Sequence, residues 1–272
     1  MPITPNSTLY GRIFVDNVMF ARSLSLVLDA GQTLLENGSE VFRVQQTMEI
    51  MAKSLGVADF DVYVVTNGIF ASAHMGDRND SLTRHVPLVS IHLGRVEAVN
   101  ELSRELAAGK LNLDEAEQRL RDARALPPAP PRVLRLAGAA GAACFGYLFG
   151  GGLAEALVAG MAGYLEVVIS QQLSAHKINR IFTIIVAAAV ATACAISMRL
   201  LLLPELQVNF AIIGALMVLT PGVALTMGIR DILNADYLSG SIRLLDAVLV
   251  AGSIACGVAI AWLAARGLGV TV

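Results

Sequence analysis

Four ionisable side chains lie inside long apolar stretches of the second half of the chain, and they are the first candidates for chemistry. They are Glu155, Glu166, Arg199 and Asp246. A charge near the centre of a bilayer costs at least about 2.5 to 3.5 kcal/mol, so each needs a partner, a water-filled cavity or a place near the membrane surface. We expect Glu155 and Arg199 near the outer boundary, where their side chains reach the headgroups.

Glu166 is the best candidate for a carboxylate that carries a proton. It lies one turn from the inner end of its predicted helix, so a position facing the membrane interface explains it equally well. Asp246 lies three residues beyond Arg243, and an ion pair between the two on one helix is the preferred interpretation.

A second set of candidates interrupts an apolar stretch at residues 219–226, which read Leu-Thr-Pro-Gly-Val-Ala-Leu-Thr. Pro221 removes a backbone donor and Gly222 accepts unusual dihedral angles, so the sequence predicts a broken helix there. Broken helices at membrane depth are tolerated where they line a cavity, and transporters use such breaks to bind solutes. The alternative is a simple kink, in which Thr220 or Thr226 bonds the freed backbone groups.

The polar residues 230–240 follow this break and form a short loop before the last apolar stretch. Asp236 is placed to cap the start of the last helix, and Gly240 permits close packing. Solvation of the loop explains its polarity equally well.

Signals for an enzyme or a metal site are absent or weak. There is no His-Glu-x-x-His, no Gly-x-Ser-x-Gly and no P-loop lysine, and we expect no cofactor and no metal. The spacing of the cysteines excludes a Cys-x-x-Cys knuckle and a disulfide framework; they are Cys144, Cys194 and Cys256. The histidines of the first half have no matching carboxylate pattern, and two of them fall on predicted strands; they are His74, His85 and His92.

The composition divides the chain into two regions. Of its 272 residues 55% are hydrophobic and 15% charged, and 12 basic and 16 acidic residues precede position 127, against 8 and 6 afterwards. The net charge of -2 provides no basic surface, so nucleic-acid binding is excluded. The first residues lack the pattern of a secretory signal, and we expect a cytoplasmic N-terminus.

The first 126 residues predict a soluble α+β domain. Helical periodicity over residues 17–35 ends at Asn37-Gly38, and Ser39 is a candidate N-cap for a second helix up to Gly56. Alternation around Asn67-Gly68 predicts a hairpin, a turn over residues 76–80 leads to a third strand through Leu88, and two helices follow. One spans Val96 to Leu106, and Asn112 or Asp114 opens the other.

The Pro-rich residues 127–131 predict a linker, and residues 132–272 predict a membrane domain. Five segments approach the length of about 20 apolar residues that a crossing needs: 133–149, 153–170, 181–203, 208–229 and 242–265. Four spans plus one broken helix is the alternative. The basic residues at the helix ends place the N-terminus inside and the C-terminus outside, and frequent Gly and Ala indicate a packed bundle.

The order of these features resembles the threonine/serine exporter family in its short form, without a fused C-terminal partner domain. The resemblance covers nearly the whole chain, and Pro221-Gly222 followed by Arg230-Asp231 and Gly240-x-x-Arg243 is its most specific part. Weaker support comes from residues 37–40, 66–70 and the triple glycine at 150–152. The family commonly has proline at the position of Ala224 and Asn at that of Met227, so a solute contact by that Asn does not carry over.

The resemblance implies an α+β N-terminal cytoplasmic domain followed by an all-α polytopic membrane bundle of about five transmembrane helices. It implies export of small hydrophilic metabolites across the bacterial inner membrane, threonine and serine in fused forms, or a dicarboxylate such as succinate with a separate small membrane subunit. The solute path would then include Thr220, Pro221, Gly222 and Thr226. Gate or coupling candidates are Glu166, Arg230, Asp231, Asp236, Arg243 and Asp246.

We therefore expect a proton-coupled secondary transporter subunit, assembled with a small multi-span partner or with copies of itself. Two other hypotheses belong to different classes of protein. In the first, residues 1–126 act as a regulatory or enzymatic domain that the bundle only anchors. In the second, the bundle is a passive channel.

Overall fold

The computed structural model describes residues 7–75, 78–87 and 91–269. The chain forms two compact units. One contains Met1–Pro128 and the short segment Asn234–Ser239, and the other contains Ala129–Leu233 and Gly240–Val272. Gly76, Asp77 and Leu88, which belong to the predicted turn and third strand, lie outside the described residues.

In its described residues the first unit combines four helices with a small sheet. In chain order its elements are α1 (Ser7–Glu36), α2 (Val41–Ser54), β1 (Asp61–Val65), β2 (Gly68–Met75), β3 (Arg78–His85), α3 (Leu93–Ala107) and α4 (Leu113–Ala125). Its core is made by apolar side chains of all four helices and the sheet, among them Leu28, Met48, Ile69, Leu102 and Leu120. α1 begins ten residues before the predicted start.

The junction of α1 and α2 has the left-handed C-cap that Asn37-Gly38 predicts. Gly38 has φ +90°, and the backbone N–H groups of Gly38 and Ser39 donate to Leu35 and Leu34. The predicted N-cap Ser39 is wrong, because its backbone belongs to this cap. α2 therefore begins one residue later, with Glu40 at the N-cap position.

The three strands form one antiparallel sheet in the order β1-β2-β3. The predicted hairpin is present, but Gly68 pairs with Val65, so the two-residue loop is Thr66-Asn67 and not Asn67-Gly68. His74 and His85 lie on β2 and β3, as predicted.

The second unit is entirely helical in its described residues. Its elements are α5 (Pro131–Leu148), α6 (Leu153–Ala175), α7 (Arg180–Leu201), α8 (Val208–Leu216), α9 (Gly222–Leu233) and α10 (Tyr237–Gly267). Among the residues described, α6, α7 and α10 are long and apolar enough to cross a membrane. α5 is not among them, and the predicted fourth segment is divided between α8 and α9.

Helices α5, α6 and α8 approach one another at glycines. A Cβ added at Gly214 of α8 would lie 2.6 Å from the Cα of Gly146 on α5, and a Cβ at Gly146 would lie 2.9 Å from Cβ of Ala159 on α6. Only glycine allows backbones to meet at this distance, so the small residues of these segments set how closely the helices pack.

Candidate functional site

The helix break predicted at Pro221 is present. After α8 ends at Leu216, the backbone N–H groups of Leu219 and Thr220 donate three residues back, to Leu216 and Met217, at 3.0 and 3.3 Å. Pro221 has no N–H, and Gly222 donates to Thr220 at 2.9 Å before α9 begins. The regular α-helical hydrogen bonds are therefore replaced by tighter ones between Leu216 and Gly222.

The two threonines beside the break bond locally. Thr220 donates its hydroxyl to the carbonyl of Leu216 at 3.1 Å, and Thr226 donates to that of Gly222 at 3.0 Å. These are the bonds that the simple-kink alternative requires. Both side chains are exposed in the single chain.

The first backbone donors of α9 stay open. Among the described residues, the N–H groups of Val223 and Ala224 have no acceptor, as is usual in the first turn of a helix. The helix dipole gives this end partial positive charge, so an anion with two oxygens can bind here. The break thus has open backbone donors, whereas the hydroxyl donors of the two threonines are already used.

Asp231 and Arg243 form a buried ion pair that joins α9 to α10. The Nε of Arg243 lies 3.1 Å from Oδ2 of Asp231, and the two side chains are 13% and 5% exposed. Arg243 also approaches the sulfur of Met227 at 3.2 Å. Met227 therefore faces the arginine of this pair.

A glycine crossing holds the same two helices together. A Cβ added at Gly240 would lie 2.8 Å from the carbonyl oxygen of Gly228 and 3.0 Å from the backbone nitrogen of Ile232. The close packing that Gly240 predicts is therefore present, and it brings Arg243, one turn further along α10, to Asp231.

Asp236 caps α10, as predicted, because its carboxylate accepts the backbone N–H of Ser239 at 3.1 Å. Arg230 is exposed near the end of α9.

The predicted ion pair between Asp246 and Arg243 is wrong. Both oxygens of Asp246 instead accept from Nη1 of Arg180 at the start of α7, at 2.9 and 3.1 Å. Each side chain reaches a neighbouring helix, and sequence spacing within α10 contains no information on those neighbours.

Glu166 is completely buried, and neither carboxylate oxygen has a hydrogen-bond partner. It lies nine residues before the end of α6 at Ala175, which is more than two turns. The expected position one turn from the helix end is therefore wrong, because α6 continues past the predicted end at residue 170.

Glu155, in the first turn of α6, is 9% exposed. Its carboxylate accepts the backbone N–H groups of Gly152, at 2.8 Å, and Gln207, at 3.0 Å, and so ties the start of α6 to the start of α8. The sequence reasoning missed this role, although a Glu three residues after a helix N-cap is a known signal. Arg199 is partly exposed in the last turn of α7.

No group of three metal-ligating side chains occurs in the parts of the chain that the structure describes. His92 is the N-cap of α3, where Nδ1 accepts from the backbone N–H of Arg95 at 3.2 Å. The Nδ1 atom of His92 is therefore used to cap α3.

One comparison with known proteins identifies a family. Residues 25–264 match the model of a family described as "Putative threonine/serine exporter". No curated protein and no solved structure matches the chain. Because the family match spans most of the sequence, the chain belongs to the threonine/serine exporter family.

Proposed function

We propose that this membrane protein exports a small hydrophilic metabolite that bears a carboxylate: threonine, serine or a dicarboxylate such as succinate. The observation that carries the proposal is the break between α8 and α9, which leaves helix-terminal N–H groups open within an apolar, glycine-packed unit. Family membership supports the class of transported molecule.

The break suits a carboxylate for electrostatic reasons. The open N–H groups of Val223 and Ala224 lie at the positive end of α9, and a carboxylate has two acceptor oxygens for them. Amino acids and dicarboxylates share this group, so the break recognises the class and leaves selection among its members to other contacts. The solute path of this proposal contains Thr220, Pro221 and Gly222, with Thr226 one turn further along α9.

The buried pair Asp231–Arg243 is the gate in this proposal, since it ties the half-helix α9 to α10. Asp236 fixes the start of α10, and Arg230 lies at the exposed end of α9. The pair Asp246–Arg180 ties α10 to α7. Movement of α9 relative to α10 would have to break the pair Asp231–Arg243. Movement of α9 and α10 together relative to α7 would have to break the pair Asp246–Arg180.

We place the protein in the bacterial inner membrane with a cytoplasmic N-terminus. In this topology α5 and the α8–α9 pair add two crossings to the three long apolar helices. Export is driven by the proton gradient, and the complete transporter includes a small multi-span membrane subunit or further copies of this chain. Activity of this kind needs no enzymatic step and no cofactor.

An efflux assay tests the proposal. Cells that lack the chain and its partner subunit are loaded with threonine, serine and succinate, and release is measured with and without both proteins. Faster release of at least one solute supports export, and unchanged release of all three refutes it. Collapse of the pH gradient then separates a coupled exporter, which slows, from a passive channel, which does not.

The variant Pro221→Ala tests whether solute release depends on the break. The variant regains a backbone donor, so we expect helix formation through the break and a severalfold loss of release. Pro204→Ala, in the exposed segment between α7 and α8, is the matched control and should release solute normally. Normal release by Pro221→Ala would refute the assignment of the solute path.

A further inference from the structure

The carboxylate of Glu166 is the most isolated acidic group among the described residues of the helical unit. The side chain is 0% exposed, and both oxygens lack a hydrogen-bond donor. By contrast, Glu155, Asp231 and Asp246 each contact a donor or a cation. An ionised carboxylate cannot remain in such surroundings without a proton, a cation or a rearrangement that supplies donors.

Two successive layers of buried side chains show the level of Glu166 along the helices. The first layer includes Val158, Ala195 and Ala211. The second includes Ala162, Ala191 and Ala215. From the first layer to the second, the residue number rises by four on α6 and on α8 and falls by four on α7, which runs in the opposite direction. One further step reaches Glu166 on α6 and Leu219 beyond α8, so the buried carboxylate lies at the level of the helix break.

Few charged groups lie on the helices that pack against α6, and none of those described bonds to Glu166. On α5, Arg135 donates to Gln171, and Arg132 lies exposed in the first turn. On α7, Arg180 binds Asp246, Arg199 lies at the opposite end, and the thiol Cys194 packs against the second layer. α8 carries no ionisable side chain. No cation in the described part of the chain therefore neutralises Glu166.

A polar face leads from Glu166 to the end of α6. Ser170 lies one turn further on the same face, and its hydroxyl oxygen is buried without a partner. Ser174 follows after one more turn and is exposed. Glu166 and Ser170 do not bond each other, so a proton would pass along this face through water that enters between the carboxylate and the hydroxyls.

We propose that Glu166 is the site at which the coupling proton binds, with Ser170 as the relay between it and the C-terminal end of α6. The proposal rests on the export function proposed above. The proton adds to a carboxylate oxygen of Glu166 while the break is closed around it. It leaves when movement at residues 217–221 brings water or backbone donors to the carboxylate.

Glu166→Gln tests the site, because the amide keeps the size of the side chain and cannot bind or release a proton. Proteoliposomes with the chain and its partner subunit are loaded with labelled threonine, serine or succinate. Net release under a pH gradient is compared with exchange against unlabelled solute at equal pH. We expect the variant to lose gradient-driven release at least tenfold and to keep exchange. Glu205→Gln, an exposed glutamate between α7 and α8, is the control for both measurements.

The outcomes separate this proposal from the one on which it rests. If the wild-type protein moves none of the three solutes, the export function fails. If the wild type exports and Glu166→Gln keeps the same response to the pH gradient, the proton site fails while export stands. Loss of exchange together with net release, at normal protein level, also overturns the proton role, because it places Glu166 in the solute path or the fold.

A chemical measurement independent of transport completes the test. Dicyclohexylcarbodiimide adds to protonated carboxyl groups in apolar surroundings, and peptide mass spectrometry locates the adduct. We expect an adduct at Glu166 that decreases as the pH of the vesicles rises, and slower labelling in Ser170→Ala. Absence of the adduct at every pH, or labelling unaffected by pH, would overturn the proposal.

Discussion

Alanine substitutions at two glycines of α10 should have opposite effects on stability, although the sites are only five residues apart. A Cβ added at Gly257 would overlap the carbonyl oxygen of Ile185 on α7 and lie 2.8 Å from Cβ of Ala188 and 3.0 Å from the nitrogen of Ala189. A Cβ added at Gly252 meets nothing within 4 Å. The two sites therefore share a helix and differ in their surroundings.

The magnitudes follow from two terms. Replacing Gly by Ala within a helix stabilises it by about 1 kcal/mol, and this term is common to both sites. Overpacking costs about 1 to 3 kcal/mol, and the upper value applies at Gly257 because a backbone oxygen cannot rotate away. We expect Gly252→Ala to raise the free energy of unfolding by about 1 kcal/mol and Gly257→Ala to lower it by about 2 kcal/mol.

The single tryptophan, Trp262, reports on this helix because it lies on α10 and packs against buried residues of the unit. Unfolding in mixed micelles, followed by its fluorescence, gives the free-energy difference between the two variants. Equal stabilities, or a stabilised Gly257→Ala, would show that α10 does not lie against Ile185 and Ala188 as described.

Three further predictions concern single contacts. Arg243→Met should lower the free energy of unfolding by about 3 to 5 kcal/mol, since it removes a cation that contacts buried Asp231; a loss below 1 kcal/mol would contradict the burial of the pair. Arg180→Met should cost only about 0 to 1 kcal/mol, because its side chain is 62% exposed, and micelle unfolding measures both variants. Asn112→Ala should lower the stability of the first unit by about 1 kcal/mol by removing the capping box with Glu115, measured by circular dichroism, with no change in solute release.

The parts of the structure that sequence predicts well are those with local causes. Pro221 removes a donor wherever it stands in a helix, Asp236 is three residues before the N–H that it caps, and Gly38 supplies the positive φ of a helix end. Each of these effects acts within one turn of chain. The helix break, the cap of α10 and the end of α1 were therefore predictable without knowledge of any neighbour.

The parts that sequence predicts poorly depend on which helices are neighbours. Spacing pairs Asp246 with Arg243, but the carboxylate of Asp246 binds Arg180 at the start of α7. The contact of Glu155 with Gln207 is not predicted, because nothing local indicates that Gln207 comes close to it. Long polar side chains reach several ångströms sideways, so their partners are decided by packing between helices and not by periodicity within one helix.

Because Gly214 contacts Gly146, the two halves of the broken helix, α8 and α9, differ in how tightly they are packed. Five of the nine residues of α8 are buried, and its backbone rests directly on that of α5, so α8 cannot turn about its axis unless it first separates from its neighbour. α9 has two buried residues among twelve. α9 is therefore the half that can move with less loss of buried contact, so distance probes on α9 should record any motion of the break, while probes on α8 provide the reference.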